Sequence, residues 1–205
     1  MQFPRRSTMA VTIALMALCW LAAASTRADD FPSRIIRVVV AFPAGGPTDF
    51  VARLLADRLK PLLGQNVIVE NRAGANGAIG AEYVAKGEAD GHLLFLTTVG
   101  AVAVTPHLSK PNYDTLRDFA PITLVARPTT ILVVRPDTPV NSAKELAALA
   151  RDKPATIPFA STGSGSVTHL ALELYQSAAN VKFLHVPYRG NRSAETAQRS
   201  QRLAA

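Results

Sequence analysis

Short apolar runs alternate with helical patterns through the first half of the chain, and this alternation leaves few possible folds. Residues 35–42 (IIRVVVAF) are rich in β-branched side chains, which predicts a buried strand. A glycine-containing turn follows, and then apolar residues recur at helical spacing as far as Pro61. Further strands are predicted over 66–70 and 92–97, with a short helix over 78–86 between them. This order predicts an α/β fold with a parallel sheet covered on both faces.

A second α/β unit is predicted to begin near Pro128, after a long connection over residues 99–118. The pattern Ser-Ala-Lys-Glu at 142–145 is typical of a capping box and predicts the start of a helix. The other elements predicted for this part are strands over 122–126, 130–134, 156–160 and 181–186, and a helix that starts near Val167.

The N-terminus has the pattern of a secretory signal. Two arginines precede an apolar run over residues 9–24, and small residues allow cleavage after Ala24 or Ala28. The alternative is a membrane anchor, although the run is shorter than the roughly 20 residues that a spanning helix needs. We assign residues 1–28 to a cleaved signal, so the mature protein is expected in the periplasm. Cleavage also removes Cys19, the single cysteine.

Charge and cysteine content exclude several classes of protein. The chain has 205 residues and a formal net charge of +7. The basic excess lies at the two ends, because residues 29–188 hold 15 basic and 14 acidic side chains. This nearly neutral body argues against a nucleic-acid partner. One cysteine excludes an internal disulfide framework and a multi-cysteine zinc site.

Two loops each connect a predicted strand to a predicted helix: the first loop, residues 42–49, and the second loop, residues 161–169. Ligands collect at such carboxyl ends of parallel strands. Glycines allow close approach to the backbone, and free N–H groups at a helix start favour an anion. These loops, with the hydroxyls of the second, could hold a carboxylate without any full positive charge. The alternative is that both are ordinary turns with hydroxyl caps.

Several polar side chains have both a functional and a structural interpretation. Asp49, in the first turn of a helix, gains roughly 0.3–1 kcal/mol from the helix dipole alone. Arg189 is either a partner for a distant ligand carboxylate or a solvated surface arginine. His185 lies in an apolar strand and is expected in the core, and His169 is expected to cap or pack.

Enzyme signatures are missing from the sequence. It contains no phosphate-binding loop motif, no G-x-S-x-G elbow and no H-E-x-x-H metal motif. We therefore predict a binding protein that has no catalytic residues, no metal and no cofactor. Two alternatives stay open: a small secreted α/β hydrolase-like enzyme that uses Ser164, and a membrane-anchored interaction module.

Several long segments, in order between residues 31 and 190, resemble the Bug/TctC family. They include IIRVVVAFPAGGPTDFVARLLADRL, VIVENRAGANGAIGAEYVAKGEADGHLLFLTT, FASTGSGSVTHLALELY and HVPYRG. Members of this family are extracytoplasmic solute receptors of tripartite tricarboxylate transporters. The resemblance implies a type II periplasmic-binding-protein fold, in which two α/β lobes with parallel-rich sheets close on a small carboxylate. It also implies the membrane components of such a transporter as partners.

The resemblance further implies a set of ligand-binding residues drawn from both lobes and from the connection between them. The set is Phe42, Ala44, Gly45, Gly46 and Asp49 in the first loop; Thr97 and Thr98 between the lobes; Ser161, Thr162, Gly163, Ser164, Gly165, Ser166, Thr168 and His169 in the second loop; and Tyr188 and Arg189.

The sequence departs from the family pattern after Gly190. We assign residues 29–127 to the first lobe with the connection, 128–188 to a partial second lobe, and 189–205 to an atypical tail that is disordered or weakly helical. Because family members continue well beyond this point, we expect a truncated product whose second lobe and returning segment are incomplete. Exposed apolar faces and weak or absent ligand binding are the expected consequences.

Overall fold

The computed structural model describes residues 31–199, and its first sheet contains three parallel strands. Strands β1 (Ile36–Val40), β2 (Val67–Asn71) and β3 (Leu93–Leu96) lie in the order β2-β1-β3, with Val38 opposite Val69 and Leu94. Val38, Val39 and Val40 are all buried, which is typical of a central strand covered on both faces. The predicted parallel sheet is confirmed.

Two helices cover this sheet. Helix α1 (Pro47–Leu63) begins at a proline, whose missing N–H costs nothing at that position, and ends at Gly64 in the left-handed conformation. Its Ala52 packs on Val38 and Val40. Helix α2 (Ala78–Ala85) packs against the aromatic pair Phe95 and Phe119, whose rings stack at 5.6 Å.

The second sheet is smaller. Strands β4 (Pro158–Ser161) and β5 (Leu184–Pro187) pair in parallel. Three further helices are α3 (Thr105–Leu108), α4 (Ala143–Asp152) and α5 (Val167–Ala179), of which α4 and α5 supply most of the second core. This core contains Leu146, Ala147, Ala150, Leu172, Val181 and Phe183.

The predicted capping box is present at the start of α4. The Glu145 N–H donates to Ser142 Oγ at 3.2 Å, and the Glu145 carboxylate accepts from the Asn141 N–H at 2.7 Å. The reciprocal bond therefore goes to the residue before the cap. The bond from Glu145 satisfies one of the donors that the first turn of a helix leaves without partners, and the bond from Asn141 holds the residue just before the cap.

The strands predicted over 122–126 and 130–134 are wrong. Residues 119–135 have no regular secondary structure, and Ile122 and Ile131 are among several exposed aliphatic side chains there. Apolar, β-branched composition favours a strand only where a neighbouring strand accepts its hydrogen bonds. Within residues 31–199, neither segment pairs with one.

Part of the tail, which was expected to be disordered or weakly helical, forms helix α6 (Asn191–Arg199). Ser193 Oγ donates to the Gly190 carbonyl at 2.9 Å, and Thr196 Oγ1 donates to the Arg192 carbonyl at 2.8 Å. The polar side chains of this stretch thus bond to the local backbone. Residues 200–205 and the predicted signal, residues 1–28, lie outside the described residues.

From Arg34 onward the described residues form one compact unit that contains both sheets. The lobe boundary near residue 128 stays a prediction. Of the helices in the described part of the chain, none is both long and apolar enough to cross a bilayer.

Candidate ligand-binding site

The first loop and the two threonines at 97 and 98 lie at one edge of the first sheet. The loop follows β1, the threonines follow β3, and Val40 lies opposite Leu96 at the ends of those strands. Because the strands are parallel, both segments leave the sheet at its carboxyl edge, where α/β proteins bind ligands. Thr98 is half-buried, and Thr97 Oγ1 faces Gly77, where an added Cβ would lie 3.6 Å from it.

Asp49 holds the first loop in shape. Its carboxylate accepts from the Gly45 N–H at 2.8 Å, from Arg53 Nε and Nη2 at 3.0 Å each, and from Asn71 Nδ2 at 2.9 Å. Asp49 is only 3% exposed. The Arg53 guanidinium lowers the pKa of Asp49 from 3.8 to about 2, with further contributions from the Gly45 amide and Asn71. A carboxylate with four donors is a structural clamp and has little left to offer a ligand.

Asn71 was missed by the sequence analysis. It ends β2 and donates from Nδ2 to the Phe42 carbonyl at 3.1 Å as well as to Asp49. It therefore joins the first loop to a second strand end. Phe42 packs on the Val38 and Val40 core, whereas Ala44 is exposed and Gly46 is half-buried.

Most polar groups of the second loop form hydrogen bonds with one another. The Ser166 Oγ cap accepts from His169 N–H at 3.2 Å, and Thr168 Oγ1 accepts from Thr162 N–H at 2.9 Å. Gly163 N–H donates to Ser161 Oγ at 3.2 Å, and Gly165 N–H donates to His169 Nδ1 at 3.1 Å. The expectation of free amides is therefore wrong at these glycines and at Gly45. Short polar side chains near a helix start compete with any ligand for the backbone.

A buried serine–histidine contact lies under the second loop. Ser161 Oγ is 2.7 Å from His185 Nε2, and the His185 ring stacks on His169 with centroids 4.1 Å apart. Burial, and then the neighbouring His169, lower the pKa of His185. Because Ser161 is 1% exposed, no substrate could reach this hydroxyl. Ser164 is exposed, but among the described residues no histidine bonds to it, so the hydrolase alternative gains no support.

Residues 188–192, which we call the corner, connect the two loops. The Tyr188 N–H donates to the Ser161 carbonyl at 2.9 Å, on the side of the second loop. On the side of the first loop, an added Cβ at Gly190 would lie 3.7 Å from Pro43 Cδ, and Arg192 Nη2 donates to the Gly45 carbonyl at 3.1 Å. Three segments that are distant in sequence therefore converge. Tyr188 is half-buried, and Arg189 is exposed.

A third strand-to-helix loop, residues 72–77, also reaches this region. An added Cβ at Gly165 would lie 3.3 Å from Asn76 Nδ2 and 2.8 Å from Leu108 Cδ1. Asn76 has a positive φ of 53°, and its buried Oδ1 has no hydrogen-bond partner among the described residues. The Asn-Gly pair after β2 was the signal that could have identified this loop, because it follows a strand as the other two loops do.

Metal ligands do not cluster in this region: within residues 31–199 no group of three or more His, Cys, Asp or Glu side chains could hold an ion.

Two parallel sheets with strand-to-helix loops that converge on one region are typical of periplasmic binding proteins. Solved structures of that class superimpose on this chain. Rpa4515 of R. palustris, solved with adipate, matches with a TM-score of 0.81 and 35% identity over 85% of this chain and 58% of its own. MatC from Rhodopseudomonas palustris, with bound malate, matches with a TM-score of 0.77 and 32% identity over 84% and 59%.

The family itself is shown by sequence. A family model described as the tripartite tricarboxylate transporter family receptor, TctC, matches residues 51–203, and the chain belongs to this family. A UPF0065 protein from the tcbD-tcbE intergenic region of a Pseudomonas species is 42% identical over 173 residues, which are 83% of this chain and 52% of that protein. The chain thus spans about half the length of the curated relatives it matches.

The resemblance to the Bug/TctC family is confirmed by these matches. One detail is corrected. The matched range extends to residue 203, so the stretch after Gly190 that we described as departing from the family is part of the match.

Proposed function

We propose that this chain is a periplasmic receptor for small carboxylates that serves a tripartite tricarboxylate-type transporter. Family membership supports the proposal, as do two structural neighbours solved with the dicarboxylates adipate and malate. The observation that carries it is the convergence of the first loop, the second loop and the corner on one region.

The elements around this region suit an anion. Helix α1 starts directly at the first loop and α5 starts within the second, so both direct the positive ends of their dipoles there. Ser164 offers an exposed hydroxyl, and Ala44 and Gly46 are accessible glycine-loop positions whose amides donate to no described residue. Binding requires no covalent step, so the receptor holds and releases its ligand unchanged.

Location and partners follow from the same proposal. A cleaved N-terminal signal would deliver the protein to the periplasm, and the membrane components of the transporter would receive the loaded receptor. Mass spectrometry of the exported protein would locate the cleavage after Ala24 or Ala28, and an uncleaved N-terminus would favour the membrane-anchored alternative.

Ligand titration tests the proposal. Purified mature protein, labelled with 15N, is titrated with sodium adipate and sodium malate, and NMR shifts measure binding even when it is weak. Hexane-1,6-diol, which has the adipate chain length without its charges, is the matched control. We expect saturable shifts with at least one dicarboxylate and none with the diol. If neither adipate nor malate produces saturable shifts, the proposal is contradicted.

A further inference from the structure

Arg192 places a guanidinium directly on the first loop. Its Nη2 donates to the Gly45 carbonyl at 3.1 Å, and a Cβ added at Gly45 would lie only 2.6 Å from the same nitrogen. The approach therefore depends on a glycine at position 45, which also has a positive φ of 76°. The hydrogen bond is direct and joins positions 147 apart in sequence.

The guanidinium is held in place by the start of α6. Gly190 packs beside Pro43, and its carbonyl accepts from Ser193 Oγ at 2.9 Å and from the Ala194 N–H at 3.3 Å. These contacts fix the first turn of the helix against the loop. Arg192 thus keeps its position without an acidic partner among the residues that the structure describes.

Arg192 and Arg53 differ in their charge partners. Arg53, which also lies beside the loop, is paired with the buried carboxylate of Asp49. Arg192 forms no ion pair with any carboxylate of residues 31–199, including Glu195 on the next turn of α6. A guanidinium has five N–H donors, and the Gly45 carbonyl uses one nitrogen. The remaining donors face outward, because Arg192 is exposed.

We propose that Arg192 binds one carboxylate group of the ligand at the first loop and selects dianionic over monoanionic ligands. This inference rests on the proposed function. The Gly45 amide is already used by Asp49, so Arg192 would add a charged donor to the amides of Ala44 and Gly46 that the loop still offers an anion. The planar fork of a guanidinium matches a carboxylate and forms two parallel hydrogen bonds with it. A dicarboxylate with one group esterified has a single charged end. That end can either pair with Arg192 or occupy the opposite side of the site, so one of the two sets of contacts is lost.

Three variants test the assignment by NMR titration with adipate at low salt. Arg192→Gln removes the charge, Arg192→Lys keeps the charge without the fork, and Arg58→Gln removes an exposed charge elsewhere on α1 as the control. We expect binding to weaken about 10- to 100-fold for Arg192→Gln, less for Arg192→Lys, and less than twofold for the control. Unchanged binding in Arg192→Gln overturns the inference. Tighter binding also overturns it, because it would mean that Arg192 obstructs the loop.

A measurement on the unsubstituted protein guards against a variant that does not fold. The Arg192 Nε–Hε signal, assigned as the one missing from the Arg192→Lys spectrum, should shift with adipate along the same curve as the backbone signals. Monomethyl adipate should bind the unsubstituted protein at least about tenfold more weakly than adipate. If adipate binds while the Arg192 signal stays fixed and the half-ester binds equally well, only the inference fails. If no dicarboxylate binds at all, the proposed function fails and the inference falls with it.

Discussion

The imidazole rings of His169 and His185 stack nearly face to face beneath the second loop, with their centroids 4.1 Å apart and their planes 16° apart. His169 accepts from the Gly165 N–H, and His185 bonds to Ser161, so the pair supports the start and the middle of the loop. Glu173 lies 3.6 Å from His169 Nε2 and is the acidic group that faces the pair. Its raising effect on the pKa of His185 is smaller than the lowering effects of burial and of His169.

Because the pKa of His185 is lowered, we expect the folded protein to lose stability as the pH falls from neutral into the mildly acidic range. The unfolded chain binds a proton at His185 near pH 6.5, whereas the folded protein binds it only at lower pH. The free energy of unfolding should therefore fall as the pH drops below about 6.5. Urea denaturation at pH 7.5 and pH 5.5 measures the difference. His185→Gln should reduce it, while His107→Gln, on the exposed side of α3, should leave it unchanged. An equal pH dependence in all three proteins would contradict this prediction.

Asp49→Asn should destabilise the protein by removing the carboxylate clamp of the first loop. A pKa of about 2 in place of 3.8 corresponds to about 2 kcal/mol of stability at pH 7. This contribution is present above pH 3.8 and is lost as the pH falls toward 2, so the variant and the parent should converge there. Urea denaturation as a function of pH measures both effects. Asp57→Asn, an exposed position on the same helix, is the control, and its free energy of unfolding should change by less than about 0.5 kcal/mol.

The sequence predicted correctly those structural elements that are specified by residues close to one another along the chain. The β-branched run around Val38 and the capping box at Ser142 specify their elements locally, and the family segments identified the fold. Sequence-based prediction failed for residues 122–134, because an apolar run becomes a strand only when a distant strand pairs with it. In the candidate site it failed for Arg192. Its stretch, NRSAETAQR, has no ligand-binding pattern, and its contact with Gly45 exists only because the fold brings the corner to the first loop.

Ser161 is a residue that the sequence predicts to contact a ligand and that the fold buries. A serine in a glycine-rich loop after a strand predicts a ligand donor, yet its hydroxyl is buried against His185, which lies 24 residues further along the chain. The serine was a correct sign of a polar loop after a strand, but the direction of its side chain depends on the pairing of β4 with β5.

Gly77→Ala should destabilise the protein more than Gly64→Ala. Both glycines have positive φ, 94° and 66°, so both substitutions share a backbone cost of roughly 1–2 kcal/mol. A Cβ at Gly77 would lie 2.9 Å from Ala101 Cβ and 3.0 Å from Ala41 Cβ, whereas nothing lies within 4 Å at Gly64. Alanine methyls cannot rotate away, so Gly77→Ala should cost about 1–3 kcal/mol more. Thermal unfolding of the two variants compares them directly, and equal losses would show that the third loop can move away from β1.

The segment 119–135 should be the first site of cleavage by thermolysin, which cuts before large aliphatic residues. Ile131 and Leu174 are equally available by exposure, at 73% and 71%, but Ile131 lies in a segment without secondary structure and Leu174 lies within α5. A protease must bind several residues in an extended form, so cleavage at Leu174 first requires unfolding of a helix that packs on the second core. Mass spectrometry of an early digest should show cuts between residues 121 and 134 and none in α5. Simultaneous cleavage at Leu174 would mean that α5 opens as easily as the segment without structure.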